Sequence, residues 1–154
     1  MTITRQDIEQ AQKTWGDGLI AIGAAHREGQ DFRQIAADHV DKLYAYASGP
    51  VLFKPTKAKE IPFRTTRAGA LSYFVAGDTA FPEDKGFALQ PWVQVDFDNA
   101  EVVLGDNHAL AMGQYVFTDP TGTKASVEYT FGYTRDEQGA LRINVHHSSL
   151  PFAG

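Results

Sequence analysis

Two histidines and two serines stand side by side near the end of the chain, in the run RINVHHSSLP (142–151). Imidazole and hydroxyl groups this close together could hold a metal ion, pair a nucleophile with its base, or bind a polar substrate. A catalytic zinc site needs about three ligands on one side of the ion, whereas neighbouring side chains of a strand point to opposite faces. The chain has no cysteine and no HxH or HExxH spacing, so we do not expect a metal site.

A serine nucleophile is also disfavoured, because the chain has no GxSxG motif. Strand alternation then divides the four residues into two pairs. His147 and Ser149 share a face with the apolar Ile143, so this pair is expected to point into the core. His146 and Ser148 are expected on the outer face, in a subunit contact, although a single β-bulge before His146 would exchange the two pairs. A core histidine bonded only to backbone groups is the structural alternative.

The composition is typical of a globular protein that does not bind polyanions. The formal net charge is −5 with a pI near 5.4, which argues against nucleic acid or an anionic membrane surface as a partner. No apolar stretch approaches the roughly 18 residues that a membrane span needs, and residues 1–12 lack the charged and apolar segments of a secretory signal, so we expect none. We therefore expect one domain over residues 1–154, located in the cytoplasm.

Three helices are expected in the first half of the chain. The first begins at a capping box formed by Thr4 and Asp7 and continues as an apolar stripe as far as His26. The second and third are shorter, at residues 31–46 and about 65–77, and both end at glycine or a Gly-Pro pair. An extended segment, VLFKPT, lies between them.

The hydrophobic period changes to two from Leu89 onward, as in half-buried strands. The candidate strands are LQPWVQVDF, AEVVL, HALAMGQYVFTD, KASVEYTFGYTRD and ALRINVHHSS. Most of the connections are short turn sequences, GDNH, DPTG and DEQG, which favour an antiparallel meander. Helices followed by such strands predict an α+β domain, with N-terminal helices packed on a curved antiparallel sheet that forms a cone around a pocket.

Five motifs, taken in order, resemble the iota-class carbonic anhydrases in their small single-domain form. They are GPVLFKPTKA (49–58), RAGALSYFVAGD (67–78), DKGFALQPW (84–92), VEYTFGY (127–133) and RINVHHSSLP (142–151). The resemblance covers essentially the whole chain, and HHSS is its most specific part. It implies a fold like the association domain of calcium/calmodulin-dependent protein kinase, within the nuclear-transport-factor-like (cystatin-like) superfamily.

The resemblance also implies a homodimer that reversibly hydrates CO2 to bicarbonate without a metal or another cofactor. Thr56 in KPTK and Tyr73 in LSYF match the family's pocket threonine and tyrosine, and strand alternation selects His147 and Ser149 to join them. We hypothesise that Thr56, Tyr73 and Ser149 bind bicarbonate oxygens, while His147 accepts or relays the proton of water. A second set of substrate-binding candidates consists of His146, Ser148 and Tyr129.

Two other functions are consistent with the sequence. One is a different lyase or isomerase on the same cone fold, which would require a carboxylate base in the pocket. The carboxylates near the predicted pocket elements are Asp38, Asp96 and Glu128. The other is a ligand-binding or association module without catalysis, in which HHSS would be an interface patch.

Overall fold

The computed structural model describes residues 1–154 as three helices and a five-stranded sheet with strand order β1-β5-β4-β3-β2. The helices are α1 (Arg5–Arg27), α2 (Phe32–Leu43) and α3 (Arg67–Val75), and a short 3-10 helix covers Phe87–Leu89. The strands are β1 (Leu52–Lys54), β2 (Gln94–Leu104), β3 (His108–Thr118), β4 (Lys124–Arg135) and β5 (Leu141–Ser149). The predicted α+β class is confirmed.

The three helices begin where their capping residues predict. Thr4 Oγ1 accepts a hydrogen bond from the Asp7 amide at 3.1 Å, and the Asp7 carboxylate accepts one from the Thr4 amide at 2.9 Å. The side chains of Asp31 and Thr66 cap α2 and α3 by accepting hydrogen bonds from the Gln34 and Gly69 amides. None of the helices has the length and hydropathy to cross a bilayer.

Helix α2 ends three residues before the predicted position. The backbone becomes extended at Tyr44, which forms an isolated parallel bridge with Ile143 of β5. This turn directs the tyrosine ring away from the helix surface and into the core, where only 2% of the residue is exposed.

The sheet differs from a pure antiparallel meander in two ways. The two segments predicted as separate strands before residue 105 form the single strand β2, which contains a bulge between Asn99 and Glu101. The segment VLFKPT contributes β1, which pairs in parallel with β5 and brings Phe53 opposite His146. Strand β5 is therefore flanked on both sides, by β1 and β4.

A second bulge lies in β5 at Asn144, two residues before His146. Tyr133 of β4 pairs with Ile143, whereas the preceding Gly132 pairs with Val145. Asn144 is thus an extra residue without a partner across the ladder, and strand alternation restarts after it.

The bulge overturns the orientation predicted from simple alternation. His146 and Ser148 point into the core and are 2% and 1% exposed. His147 is exposed and Ser149 is half-buried, so this pair lies on the outer face of the sheet. The prediction that His147 and Ser149 point into the core is wrong, because Ile143 and His146 face the same side although three positions separate them.

The core between helices and sheet is largely aromatic. Trp15 of α1 lies at its centre, 5.7 Å from the Tyr115 ring and 5.6 Å from the His146 ring, measured between centroids. Phe74 of α3 and Phe117 of β3 contact other sides of the same indole. These large side chains leave little free space where the helices meet β5.

Candidate functional site

A small cavity of about 10 Å³ lies where β1, α3 and the core-facing end of β5 meet. Five of its lining residues carry hydroxyl or imidazole groups: Thr56, Tyr73, Tyr115, His146 and Ser148. The other five form an apolar wall: Trp15, Phe53, Pro55, Phe74 and Phe87. The cavity thus combines a group of polar atoms with an otherwise apolar surface.

The imidazole of His146 is held between two phenylalanine rings. Phe53 of β1 and Phe131 of β4 are its direct cross-strand neighbours. Their centroids lie 4.7 Å and 4.1 Å from the imidazole centroid, with interplanar angles of 13° and 22°. The stacking fixes the plane of the ring, so that its two nitrogens can meet partners only at the edges.

Both ring nitrogens of His146 have hydrogen-bonding partners. Nδ1 lies 2.7 Å from the Tyr44 hydroxyl, which also accepts a hydrogen bond from Trp15 Nε1 at 3.0 Å. Nε2 lies 3.0 Å from the Tyr115 hydroxyl and 3.2 Å from Ser148 Oγ. Tyr115 and Ser148 are also hydrogen-bonded to each other. The network joins α1 and the end of α2 to β3 and β5.

Burial decides the protonation states at this site. It lowers the pKa of His146 from 6.5 to about 3, with a smaller effect from the neighbouring His147. Burial also raises the pKa of Tyr73, which the Lys57 amide and the Thr56 side chain partly oppose. The pKa of Tyr115 is raised for the same reason, against the hydrogen bond from Ser148. Near neutral pH the imidazole is therefore uncharged and both phenols keep their protons.

Thr56 and Tyr73 are brought to the cavity by the segment after β1 and by α3. The Lys57 amide donates a hydrogen bond to the Tyr73 hydroxyl at 3.2 Å, which ties this segment to the helix. The carboxylate of Glu83 accepts from three further amides of the segment, those of Lys59, Glu60 and Ile61, at 2.7, 3.2 and 2.8 Å. Thr56 is half-buried while the other lining residues are buried, so the cavity opens to solvent beside it.

The remaining predicted residues lie elsewhere. His147 is in a cross-strand row with Thr130 and Met112 on the outer face of the sheet. This row borders a separate depression of about 590 Å³, which Ser149 also lines. Tyr129 is in the core, but its hydroxyl donates to Asn99 Oδ1 at 2.7 Å and it does not line the inner cavity.

The carboxylates needed for a different type of enzyme are not in the cavity. Asp38, Asp96 and Glu128 are all exposed, and none of them lines it. No group of three or more histidine, aspartate or glutamate side chains is arranged to hold one metal ion.

Three residues of the network do not stand out in the sequence. Trp15, Tyr44 and Tyr115 occupy core-facing positions, where an aromatic residue is most simply explained by packing. The one feature that could indicate a role in a polar network is the polar atom of each side chain, since a buried tyrosine hydroxyl or indole N–H usually requires a hydrogen-bonding partner. That feature does not identify the partner.

Comparison with solved structures first defines the fold. A structure named for the association domain of calcium/calmodulin-dependent protein kinase II, from Xanthomonas campestris, has a TM-score of 0.63 at 24% identity, over 99% of this chain and 91% of that one. An NTF2-like protein with a cystatin-like fold from Novosphingobium aromaticivorans has a TM-score of 0.59 at 14% identity, over 97% and 83% of the two chains. The fold is therefore nuclear-transport-factor-like, as the motifs predicted.

The family is defined by more similar proteins. The chain is 45% identical to the iota-carbonic anhydrase from a cyanobacterium, solved in complex with bicarbonate, with a TM-score of 0.96 over 99% of this chain and 95% of that one. It is 46% identical over 153 residues to the metal-independent carbonic anhydrase of Nostoc sp. (strain PCC 7120), covering 97% of this chain and 75% of the relative. The family model for metal-independent carbonic anhydrases matches residues 6–150. The chain belongs to this family.

Proposed function

We propose that the chain is a metal-independent carbonic anhydrase that converts CO2 and water to bicarbonate and a proton, reversibly, in the inner cavity. The observation that carries the proposal is the convergence of Thr56, Tyr73, His146 and Ser148 on one small cavity. Thr56 and Tyr73 are predicted by the family motifs KPTK and LSYF. The other two are the inward-facing half of HHSS, and they replace His147 and Ser149 in the proposed site.

The two kinds of cavity surface suit the two forms of the substrate. CO2 is uncharged and fits against the apolar wall, which includes Phe53 and Phe87. As a water oxygen attacks its carbon, negative charge develops on the CO2 oxygens. Hydroxyl and N–H donors aimed at those oxygens stabilise the charge in the manner of an oxyanion hole, and removing one such donor typically costs about 10²–10³ in rate.

The buried His146 is unsuited to accept a proton, which is the role predicted above for His147. A pKa of about 3 makes His146 a weak general base near neutral pH. We assign it to orienting and hydrogen-bonding the substrate. The proton released from water leaves through the opening beside the half-buried Thr56, where solvent and buffer can accept it.

Binding of bicarbonate requires the polar side chains to exchange partners. A volume of about 10 Å³ holds roughly one water molecule, and bicarbonate has four heavy atoms. The contact between Tyr115 and Ser148 occupies part of the space that the anion needs. When the two hydroxyls separate, each can bond a bicarbonate oxygen instead, so neither hydroxyl is left without a partner.

The segment beside the opening of the cavity is rich in lysine, although the chain as a whole is acidic. The segment KPTKAK (54–59) carries three lysines around Thr56, and none of them forms an ion pair. Lys54 Nζ donates to the Ser148 carbonyl at 2.9 Å, and Lys57 Nζ lies 6.0 Å from the centroid of the Phe87 ring. Unpaired cations at this position favour the approach of bicarbonate to the opening.

The decisive experiment is stopped-flow CO2 hydration by protein stripped of metal, with Thr56→Ala and Tyr73→Phe measured beside it. We expect a rate above buffer that chelators do not change and that both substitutions lower. No rate above buffer, with or without added zinc or manganese, would show that the chain is not a carbonic anhydrase. A rate that is lost on chelation and restored by metal would instead overturn the metal-independent mechanism.

We also propose that the chain forms a homodimer through the outer face of the sheet. The family resemblance suggests a dimer, and the outer face offers exposed apolar side chains next to the outer pair. Met112, in the same cross-strand row as His147, is 55% exposed, and Leu150, directly after β5, is 60% exposed. A second copy of the chain would cover this surface.

A further inference from the structure

The hydrogen bonds around Tyr44 determine which nitrogen of His146 carries the proton. Trp15 Nε1 can only donate, and it donates to the Tyr44 oxygen at 3.0 Å. The one other partner of this hydroxyl is His146 Nδ1, at 2.7 Å. The Tyr44 hydrogen therefore points at Nδ1, which must be unprotonated to accept it.

The opposite tautomer is disfavoured by the same contacts. With a proton on Nδ1, the Tyr44 oxygen would receive two donors, and its own hydrogen would be buried without an acceptor. Only 2% of Tyr44 is exposed, so water does not substitute. A buried, unpaired donor shifts such an equilibrium by roughly tenfold or more. The proton of the neutral ring is accordingly on Nε2, which faces Tyr115 and Ser148 in the cavity wall.

We propose that Trp15 and Tyr44 are positioning residues that hold His146 in its Nε2-protonated tautomer, so that the ring presents an N–H to the substrate. The catalytic part of this inference rests on the proposed function. The polar atoms of these two residues do not need to touch the substrate. The Trp15 indole acts on the Tyr44 hydroxyl, and the Tyr44 hydroxyl acts on the His146 imidazole.

The test uses the full chain labelled with 15N-histidine, with Tyr44→Phe as the main variant. The ring shape is kept and only the hydroxyl is lost. We expect the wild-type His146 to show Nε2–H alone, and the variant to show a mixture or Nδ1–H, with kcat for CO2 hydration lowered by about tenfold. Tyr133→Phe is the matched control, since this buried tyrosine of the same core makes no hydrogen bond to His146.

Three outcomes would overturn the proposal. They are a wild-type spectrum with the proton on Nδ1, an unchanged tautomer in Tyr44→Phe, and a changed tautomer with wild-type kcat. Should Tyr44→Phe not fold, the wild-type spectrum and Trp15→Phe apply the same test. The NMR result is independent of turnover, so an inactive wild type would contradict the proposed function while the spectrum still decides whether Tyr44 sets the tautomer.

Discussion

The two histidine–serine pairs at the end of β5 are chemically identical and adjacent in sequence, but their surroundings have little in common. His146 is stacked between two phenylalanines, bonded through both nitrogens, and 2% exposed. His147 is exposed on the opposite face, in a row with Thr130 and Met112. This difference is the reason for placing the proposed site at the inner pair, because burial and fixed partners supply the preorganisation on which catalysis depends.

The two pairs should differ most when one histidine is removed at a time. We expect His146→Ala to lower kcat/KM for CO2 hydration by about 10²–10³, the usual cost of one lost oxyanion donor. We expect His147→Ala to change it by less than about twofold, since its side chain is exposed and lies outside the cavity. Stopped-flow rates of both variants, with circular dichroism to confirm folding, provide the measurement. Equal losses in the two would contradict the inner site.

Two buried histidines, His146 of β5 and His39 of α2, should also make stability depend on pH. His146, with a pKa lowered to about 3, and His39, with a pKa lowered to about 4, are neutral when folded but take up protons below about pH 6.5 when unfolded. The free energy of unfolding should therefore fall as the pH drops from about 6.5 towards these values, by up to about 1.4 kcal/mol per pH unit for each histidine.

Urea unfolding between pH 4.5 and 6.5 measures this slope. His146→Gln should reduce it, because the variant lacks one proton-binding group, while His147→Gln serves as the exposed control. Identical slopes in wild type and His146→Gln would mean that burial does not keep His146 neutral.

The two serines allow a finer comparison. Ser148→Ala removes a hydroxyl that contacts His146 Nε2 and Tyr115, and we expect a loss of about tenfold in kcat/KM, equivalent to one ordinary hydrogen bond. Ser149→Ala changes a side chain on the outer face and should leave kcat/KM within about twofold of wild type. If Ser149→Ala has the larger effect, the assignment of faces to functions is wrong.

A substitution on the outer face should change the oligomeric state of the protein and have little effect on the rate of CO2 hydration. Met112→Glu places a charge in the row that contains His147, and we expect it to shift the proposed dimer towards monomer. Sedimentation equilibrium would give the mass, and kcat per chain should stay within about twofold of wild type. A wild type that is monomeric at every concentration would contradict the dimer proposal.

Much of the fold is predictable because its determinants are local. The capping residues and apolar stripes locate the helices to within about three residues, and period-two patterning locates the long strands. The parallel pairing of β1 with β5 is not predictable in this way, since three strand residues carry no register information of their own. The single-domain organisation and the cytoplasmic location stay predictions.

The amino-acid sequence alone indicated the family and the polar residue types available for the proposed site, and its motifs pointed to Thr56 and Tyr73, which line the cavity. Only the tertiary structure decided which half of HHSS enters the cavity. Alternation along a strand is a local rule, whereas the bulge at Asn144 exists only where β5 pairs with β4, and that pairing turns His146 inward. The convergence of Trp15 and Tyr44 on this histidine depends likewise on contacts between residues far apart in the chain: Trp15 and Tyr44 are separated by 29 positions, and Tyr44 and His146 by 102.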